Sequence, residues 1–256
     1  MLTVDQLLYN RTITPEAVGF LRAVVQADMN VLLVSGDDTA MPDLLNMLAG
    51  FIRREHRVIS IERYPELSLP LQMQHTCLTT PQAQVSATLQ TVTRIKPEYI
   101  VVNDIPTEAC ATLLDTAASR ETGMLVSLRA DLNRYGIGAL EQAYGASTSA
   151  VATARAQIVQ SFDLLVTSQR HGFGGRPVKN IVEFEDFHNG EIVYRSIFDF
   201  KSLSRFNGDL TPTGHHPTFV DRLDDIDAIL PRKRRTLGNN TMQTKPVTPH
   251  FQRKPL

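Results

Sequence analysis

Short runs of hydrophobic residues alternate along most of the chain with segments in which hydrophobic residues recur every three or four positions. The runs are typical of strands buried in a parallel sheet, and the periodic segments are typical of amphipathic helices. We predict strands at 31–34, 57–61, 99–102, 124–128 and 164–166. Helices are predicted through 18–25, 44–51, 85–95, 107–118, 137–144 and 149–162. This alternation indicates an α/β fold, in which a mostly parallel sheet carries helices on both faces.

A different pattern begins near residue 178. Two strand-like segments, 178–187 and 191–200, flank the dipeptide Asn189-Gly190. Asn-Gly between two such segments is a strong signal for a tight turn between antiparallel strands. We therefore expect the parallel sheet to be followed by a C-terminal antiparallel hairpin.

Hydrophobic periodicity ends beyond residue 206. The remaining chain is rich in Pro, Thr, Asn and Arg, and an acidic stretch (221–227) precedes a basic run (232–235). Such a composition does not bury enough apolar surface to offset the entropy of ordering the chain. We predict one domain over residues 1–206 and a largely disordered, charged tail over residues 207–256.

The composition of the chain argues against some classes of function and some cellular locations. Of the 256 residues 42% are hydrophobic and 21% are charged, and the formal net charge is −1, so no global field favours nucleic acid or an anionic membrane. Two cysteines, Cys77 and Cys110, suit a reducing compartment. Neither a secretory signal nor a run of roughly 20 apolar residues is present. We expect a cytoplasmic protein that reaches a membrane only through a partner.

Three segments, taken in order, resemble the motor domain of the ATPases that serve type II and type IV secretion and pilus assembly. Residues 30–48 match without gaps the family's strand, phosphate loop and helix. Residues 57–67 are similar to its acidic box, and residues 94–104 to the arginine and Walker B segment. The terminal hairpin also fits. The likeness is nearest to the tight-adherence pilus branch, and it implies a RecA-like P-loop NTPase fold.

The resemblance places a nucleotide site in the loop after the first strand. The matching positions are Ser35, Gly36, Asp37, Asp38, Thr39, Ala40, Met41 and Pro42. A working loop uses a Lys that reaches the β- and γ-phosphates and a Ser or Thr hydroxyl on Mg²⁺. Met41, without charge, and Pro42, without a hydroxyl or backbone N–H, occupy those two positions. We therefore expect that ATP does not bind here in the usual pose.

The two loop aspartates, Asp37 and Asp38, also oppose the binding of a phosphate group. Each phosphate–carboxylate contact at about 4 Å would cost about 4 kcal/mol at an effective dielectric constant near 20. Without a ligand, Asp38 or Thr39 would cap the next helix, and Pro42 and Asp43 would suit its first turn. A further alternative makes Asp37, Asp38 and Asp43 ligands of Mg²⁺ or Ca²⁺. Their spacing does not match an EF-hand loop, so we predict no metal site.

Acidic residues of the other two motifs survive in part. Glu62 and Glu66 remain from the acidic box, although its usual Asp is Arg63, and Asp104 stands where the family has the Walker B Glu. The resemblance makes the three acids remnants of a catalytic site, and we assign no catalytic residue. Both histidines of the family's His box are missing, and the segment that begins at Arg129 takes the place of the last one.

Loss at every motif predicts a catalytically inactive secretion-ATPase relative, which acts as a structural or regulatory subunit of a pilus or type II/IV secretion machine. No cofactor is expected, in contrast to the ATP and Mg²⁺ of the family. The resemblance implies that the partners are further copies or an active paralogue, together with inner-membrane platform proteins, and not nucleic acid. One alternative is an active ATPase with a rearranged site, in which Asp104 and Glu62 bind Mg²⁺ and Arg94 or Arg129 contacts phosphates. Another is an adaptor whose tail recruits a partner.

Overall fold

The structure is a computed structural model that describes residues 2–36, 41–70, 72–130, 137–142, 148–170, 176–203, 208–223 and 230. Its helices are α1 (Val4–Tyr9), α2 (Pro15–Gln26), α3 (Met41–Ala49), α4 (Val85–Ile95), α5 (Cys110–Ala118), α6 (Gly138–Gln142) and α7 (Thr148–Ser161). Its strands are β1 (Val31–Ser35), β2 (Arg57–Glu62), β3 (Gln74–Thr79), β4 (Tyr99–Val102), β5 (Gly123–Arg129), β6 (Leu164–Ser168), β7 (Val178–His188), β8 (Glu191–Ser202) and β9 (Gly208–Pro212). Among the described residues, no helix combines the length and apolar composition needed to span a bilayer.

The strands of the described residues form one sheet in the order β3-β2-β4-β5-β1-β6-β7-β8-β9. The first six pair in parallel, and β7, β8 and β9 continue the sheet antiparallel. Hydrophobic side chains of α1, α2 and α3 pack on one face, and those of α4, α5, α6 and α7 pack on the other. Every residue of β1 is buried, because strands that are covered on both faces are apolar throughout. The predicted α/β class, parallel sheet and C-terminal hairpin are confirmed.

The hairpin turn follows the sequence signal closely. His188 and Glu191 form the last pair of β7 and β8. Asn189 and Gly190 both have positive φ, of 52° and 81°. A two-residue turn with positive φ at both positions matches the right-handed twist of the two strands, and Asn and Gly tolerate this conformation best. The dipeptide therefore fixes the register at this end of the hairpin.

Part of the predicted tail is folded, which corrects the domain boundary at residue 206. Strand β9 pairs with β8, and Leu210, Leu223 and Leu230 are buried. Gly208 permits this pairing, since a Cβ atom there would lie 2.4 Å from the Phe200 ring. One short strand and scattered leucines leave no periodicity in the sequence, so the pattern did not reveal them. The rest of the predicted tail, 207, 224–229 and 231–256, lies outside the described residues.

A buried carboxylate holds the segment after β9 against the sheet. The Glu183 side chain on β7 is 1% exposed and accepts hydrogen bonds from the backbone N–H and the hydroxyl of Thr218. His215 Nε2 lies 3.3 Å from the second carboxylate oxygen of Glu183. Buried acidic groups require such partners, so this contact anchors the chain beyond β9 at a defined place.

At the amino edge of the parallel strands, Arg57 and Glu98 join the starts of β2 and β4. The Arg57 guanidinium lies 2.9 Å from Glu98, and the Arg57 backbone N–H donates to the same carboxylate. These hydrogen bonds from Arg57 lower the pKa of Glu98 from its ordinary 4.5 to about 2. The ion pair therefore contributes to stability above the unfolded-state pKa, and the contribution is lost as pH falls from about 4.5 to about 2.

We expect carboxyl ¹³C NMR to show Glu98 titrating near pH 2 in the folded protein. In Arg57→Gln the pKa of Glu98 should return towards its ordinary value of 4.5, because the charged donors are gone. A Glu98 carboxyl that titrates at the same pH in both proteins would contradict the assignment of the shift to Arg57.

Candidate functional site

The candidate site residues meet at the carboxyl edge of the parallel strands. Ser35 ends β1, Glu62 ends β2, Asp104 follows β4 and Arg129 ends β5. Ser35 is directly opposite Arg129 in the pairing of β1 and β5, and opposite Ser168 in the pairing of β1 and β6. Ligands of open α/β sheets bind beyond this edge, so the fold places the residues where a ligand site is expected.

The predicted nucleotide loop is described at its two ends. Ser35 is buried at the end of β1, and Gly36 follows it. Asp37, Asp38, Thr39 and Ala40 lie outside the described residues, so the proposed helix cap at Asp38 or Thr39 stays a prediction. Helix α3 begins at Met41, with Pro42 and Asp43 in its first turn. The strand–loop–helix order that the resemblance implies is therefore present.

Met41 stands where the resemblance places the phosphate-binding lysine. Its side chain is 7% exposed and belongs to the hydrophobic core on the α1–α3 face. Nearby, Asp43 Oδ1 accepts a hydrogen bond of 2.8 Å from the Leu2 backbone N–H. The first turn of α3 is thus used for packing and for binding the N-terminal segment.

Glu62 is the most completely bonded of the surviving acids. Its side chain is 1% exposed. One carboxylate oxygen accepts from the Ser60 hydroxyl at 2.6 Å and from the Cys77 thiol at 3.3 Å. The other accepts from the backbone N–H groups of Glu66 and Leu67, at 2.7 and 2.9 Å. Glu62 therefore folds the start of the following loop back onto β2, and both of its oxygens are occupied.

Edge strand β3 supplies two polar side chains, His75 and Cys77, that sequence reasoning missed. His75 Nε2 lies 2.8 Å from the Ser60 hydroxyl oxygen, and because that hydroxyl donates to Glu62, Nε2 carries the proton in this arrangement. Burial lowers the pKa of His75, and Glu62 opposes this shift. Burial is also the largest cause that raises the pKa of Cys77. Strand β3 is mostly exposed and has little hydrophobic pattern, so no signal marked it.

A second set of hydrogen bonds connects Glu66 to the Walker B position. Asn103 Nδ2 donates to Glu66 Oε2 at 2.6 Å, and the Ser127 hydroxyl donates to Asn103 Oδ1 at 3.0 Å. Ser127 is fully buried, and its oxygen accepts the Asp104 backbone N–H at 2.7 Å. These contacts fix the backbone at the end of β4.

Asp104 and Arg129 form an ion pair above the end of β5. Arg129 Nη2 donates to Asp104 Oδ2 at 2.8 Å, and the two side chains are 51% and 30% exposed. Asp104 has a φ of 56°, a left-handed conformation that Asp tolerates better than most residues. The structure thus brings together Glu62, Glu66 and Asp104, the three acids that the resemblance selects, and adds Arg129 to them.

The sequence relatives are conjugal transfer proteins. The chain is 19% identical over 192 residues to the conjugal transfer protein TrbB of Rhizobium radiobacter. It is 22% identical over 194 residues to the probable conjugal transfer protein TrbB of Sinorhizobium fredii. Each match covers 74% of this chain and 58% of the relative, so the chain spans less than two thirds of their length. No protein-family model matches the chain.

Solved structures with the same fold are secretion ATPases. The VirB11 ATPase of the Brucella suis type IV secretion system, in complex with sulphate, superposes with a TM-score of 0.59 at 19% identity, over 72% of this chain and 65% of that one. The Yersinia pseudotuberculosis ATPase DotB gives a TM-score of 0.54 at 10% identity, over 70% of this chain and 48% of that one. The predicted resemblance to secretion and pilus-assembly ATPases is thereby confirmed, and the chain has the RecA-like fold of the type IV secretion ATPases.

Proposed function

We propose that this protein is a catalytically inactive relative of the type IV secretion ATPases that acts as a structural or regulatory subunit of a secretion or pilus machine. The observation that carries the proposal is the burial of Met41. At the position of the phosphate-binding lysine, a core methionine has no charge to offer a phosphate, and its 7% exposure leaves little of it at the surface. Pro42, in the first turn of α3, has no hydroxyl for Mg²⁺.

The surviving acids support the same proposal. Phosphoryl transfer depends on positioning and on stabilisation of charge, so a useful acid must face the substrate or its metal ion. Both carboxylate oxygens of Glu62 instead accept hydrogen bonds from other groups of the protein, and Asp104 pairs with Arg129. An inactive chain would need neither ATP nor Mg²⁺ as a cofactor.

We expect the purified full-length protein to release no phosphate from Mg²⁺-ATP above the rate of a protein-free control, because a cation for the β- and γ-phosphates is missing at Met41. A coupled phosphate assay at high protein concentration measures this rate, and binding of a fluorescent ATP analogue measures occupancy. Mg²⁺-dependent turnover that Asp104→Ala abolishes would refute the proposal and favour an active ATPase with a rearranged site.

By analogy with its relatives, we propose that the chain works at the cytoplasmic face of the inner membrane. There it would assemble with further copies or with an active paralogue and contact platform proteins of the machine. Membership of the tight-adherence branch stays a prediction. The adaptor alternative is tested by deleting residues 231–256 only, since β9, Leu223 and Leu230 pack on the domain. Loss of partner binding in that truncated protein would favour an adaptor tail.

A further inference from the structure

Edge strand β3 lies within the longest uncharged stretch of the sequence. Residues 67–93 contain no Asp, Glu, Lys or Arg, although 21% of the whole chain is charged. The stretch is not confined to the core, since β3 is mostly exposed and α4 has exposed polar residues on its outer side. Protein surfaces usually carry many charges, whereas the surfaces that partners bury are depleted of them. The charge pattern therefore marks this side of the domain as a candidate interface.

Strand β3 also lacks the features that protect many exposed sheet edges. It spans Gln74–Thr79, pairs with β2 without a register shift, and contains neither a proline nor a charged residue. By contrast β9, at the other edge, includes Asp209 and Pro212 among its five residues. Charges, prolines and bulges commonly keep an edge strand from pairing with another chain. Because β3 has none of them, its outer edge is suited to the addition of a further strand.

The backbone groups of Cys77 and Thr79 face away from β2. The Thr80 backbone N–H donates to the Glu62 carbonyl oxygen at 2.8 Å. Since backbone groups alternate in direction along a strand, those of Leu78 also face β2, while those of Cys77 and Thr79 point outwards. In the sheet formed by the described residues β3 is a terminal strand, so these outward groups have no neighbouring strand there.

We propose that a second copy of this chain binds along β3, with the two β3 strands antiparallel about a two-fold axis at Leu78. In this register Cys77 of each copy lies opposite Thr79 of the other, and each such pair exchanges both of its N–H···O bonds. The two Leu78 side chains lie opposite each other. Within each copy Leu78 packs on the core of the α4–α7 face, so their contact extends that core across the axis.

The uncharged strand favours a second copy as the occupant. A two-fold interface brings the same surface together from both sides, so every charge near the axis would meet its own sign. A strand without charges avoids this repulsion, and it offers no charge that would select an acidic or a basic partner. The inference rests on the proposed function only for assembly with further copies, whose surface and symmetry it specifies.

The test is a charge swap at the exposed residue Thr79, measured on the full-length protein by sedimentation velocity at about 1–100 μM. In the proposed register the two Thr79 side chains are diagonal neighbours on one face of the paired strands, about 7–8 Å apart. We expect the wild-type protein to dimerise, and Thr79→Lys and Thr79→Glu each to weaken the dimer about tenfold, because like charges then repel. An equimolar mixture of the two variants should regain the wild-type affinity, because opposite charges meet.

Gln26→Lys is the control, since it adds the same charge at an exposed position of α2 and should leave the dimer unchanged. Circular dichroism checks the fold of each variant. Cys77→Lys and Cys77→Glu, whose side chains are related by the same two-fold axis, replace the Thr79 variants if either of these is unfolded.

A wild-type protein that stays monomeric over this range would overturn the inference. Unchanged association of both Thr79 variants would also overturn it, because the copies would then meet elsewhere, as would a mixture that associates no better than the single variants. A dimer that forms only after deletion of residues 231–256 would mean that this chain's own segment covers β3, and it would overturn the inference too. The measurement contains no nucleotide, so ATP turnover by the wild-type protein would overturn its proposed inactivity and leave a Thr79-dependent dimer standing. An inactive monomer would overturn only the interface.

Discussion

Glu62→Ala is expected to lower the free energy of unfolding by about 3 kcal/mol, because each buried donor left without an acceptor costs about 1–3 kcal/mol. The substitution removes the acceptor of the Ser60 hydroxyl and of two backbone N–H groups, at Glu66 and Leu67. In the variant, the two loop N–H groups can form hydrogen bonds with water instead. The expected cost therefore lies near the lower end of the sum for the three donors. Urea denaturation followed by circular dichroism measures the change.

Glu66→Ala is the matched control for this substitution. Glu66 is an exposed acid of the same motif, and its side chain accepts a hydrogen bond from the Asn103 amide. We expect its replacement to cost about 1 kcal/mol, because one donor, the Asn103 amide, loses its acceptor. Equal costs for the two variants would show that Glu62 does not anchor the loop. A clear excess for Glu62 supports the view that an acid of the family's motif serves the fold here.

Predictions from the sequence succeeded where hydrophobic burial determines the structure. Strand β1 and helix α4 lie within a residue of their expected bounds, because both carry an unbroken apolar run or face. Strand β3 was missed, since its exposed edge position leaves mostly polar residues in the sequence. Strand β9 was missed for a related reason: its five residues, Gly208–Pro212, include one large hydrophobic side chain, that of Leu210, which leaves no alternating pattern in the sequence.

In the candidate site, too, some features could be predicted from the sequence and others could not. Motif resemblance selected Glu62, Glu66 and Asp104 in the sequence, and the parallel strands bring them to one edge of the sheet. The partners of these acids depend on distant parts of the chain. Arg129 ends β5 whereas Asp104 follows β4, and the Cys77 thiol reaches Glu62 from an edge strand that had no sequence signal. The candidate residues can thus be selected from one sequence, whereas the hydrogen bonds that these residues make depend on the assembled sheet.

Asn30→Ala is expected to cost about 3–4 kcal/mol of unfolding free energy. Asn30 precedes β1 and is 2% exposed. Its amide donates to the carbonyl oxygens of Ala117 and Ser161, at 3.1 and 2.8 Å, and its oxygen accepts the Met124 backbone N–H at 2.9 Å. These carbonyls belong to the last turns of α5 and α7, and that of Ala117 also accepts the Arg120 backbone N–H at 3.2 Å. One side chain therefore joins two helix ends to β5.

Asn46→Ala is the matched control, since it removes the same amide from α3 and, within the part of the chain that the structure describes, breaks an exposed bond from the Ser68 backbone N–H alone. We expect this variant to lose less than about 1 kcal/mol. In a thermal melt, Asn30→Ala should therefore lower Tm by about 10 °C, while Asn46→Ala shifts it by about 3 °C or less. Similar shifts for both variants would mean that water replaces the Asn30 amide, and that the helix ends at Ala117 and Ser161 do not depend on it.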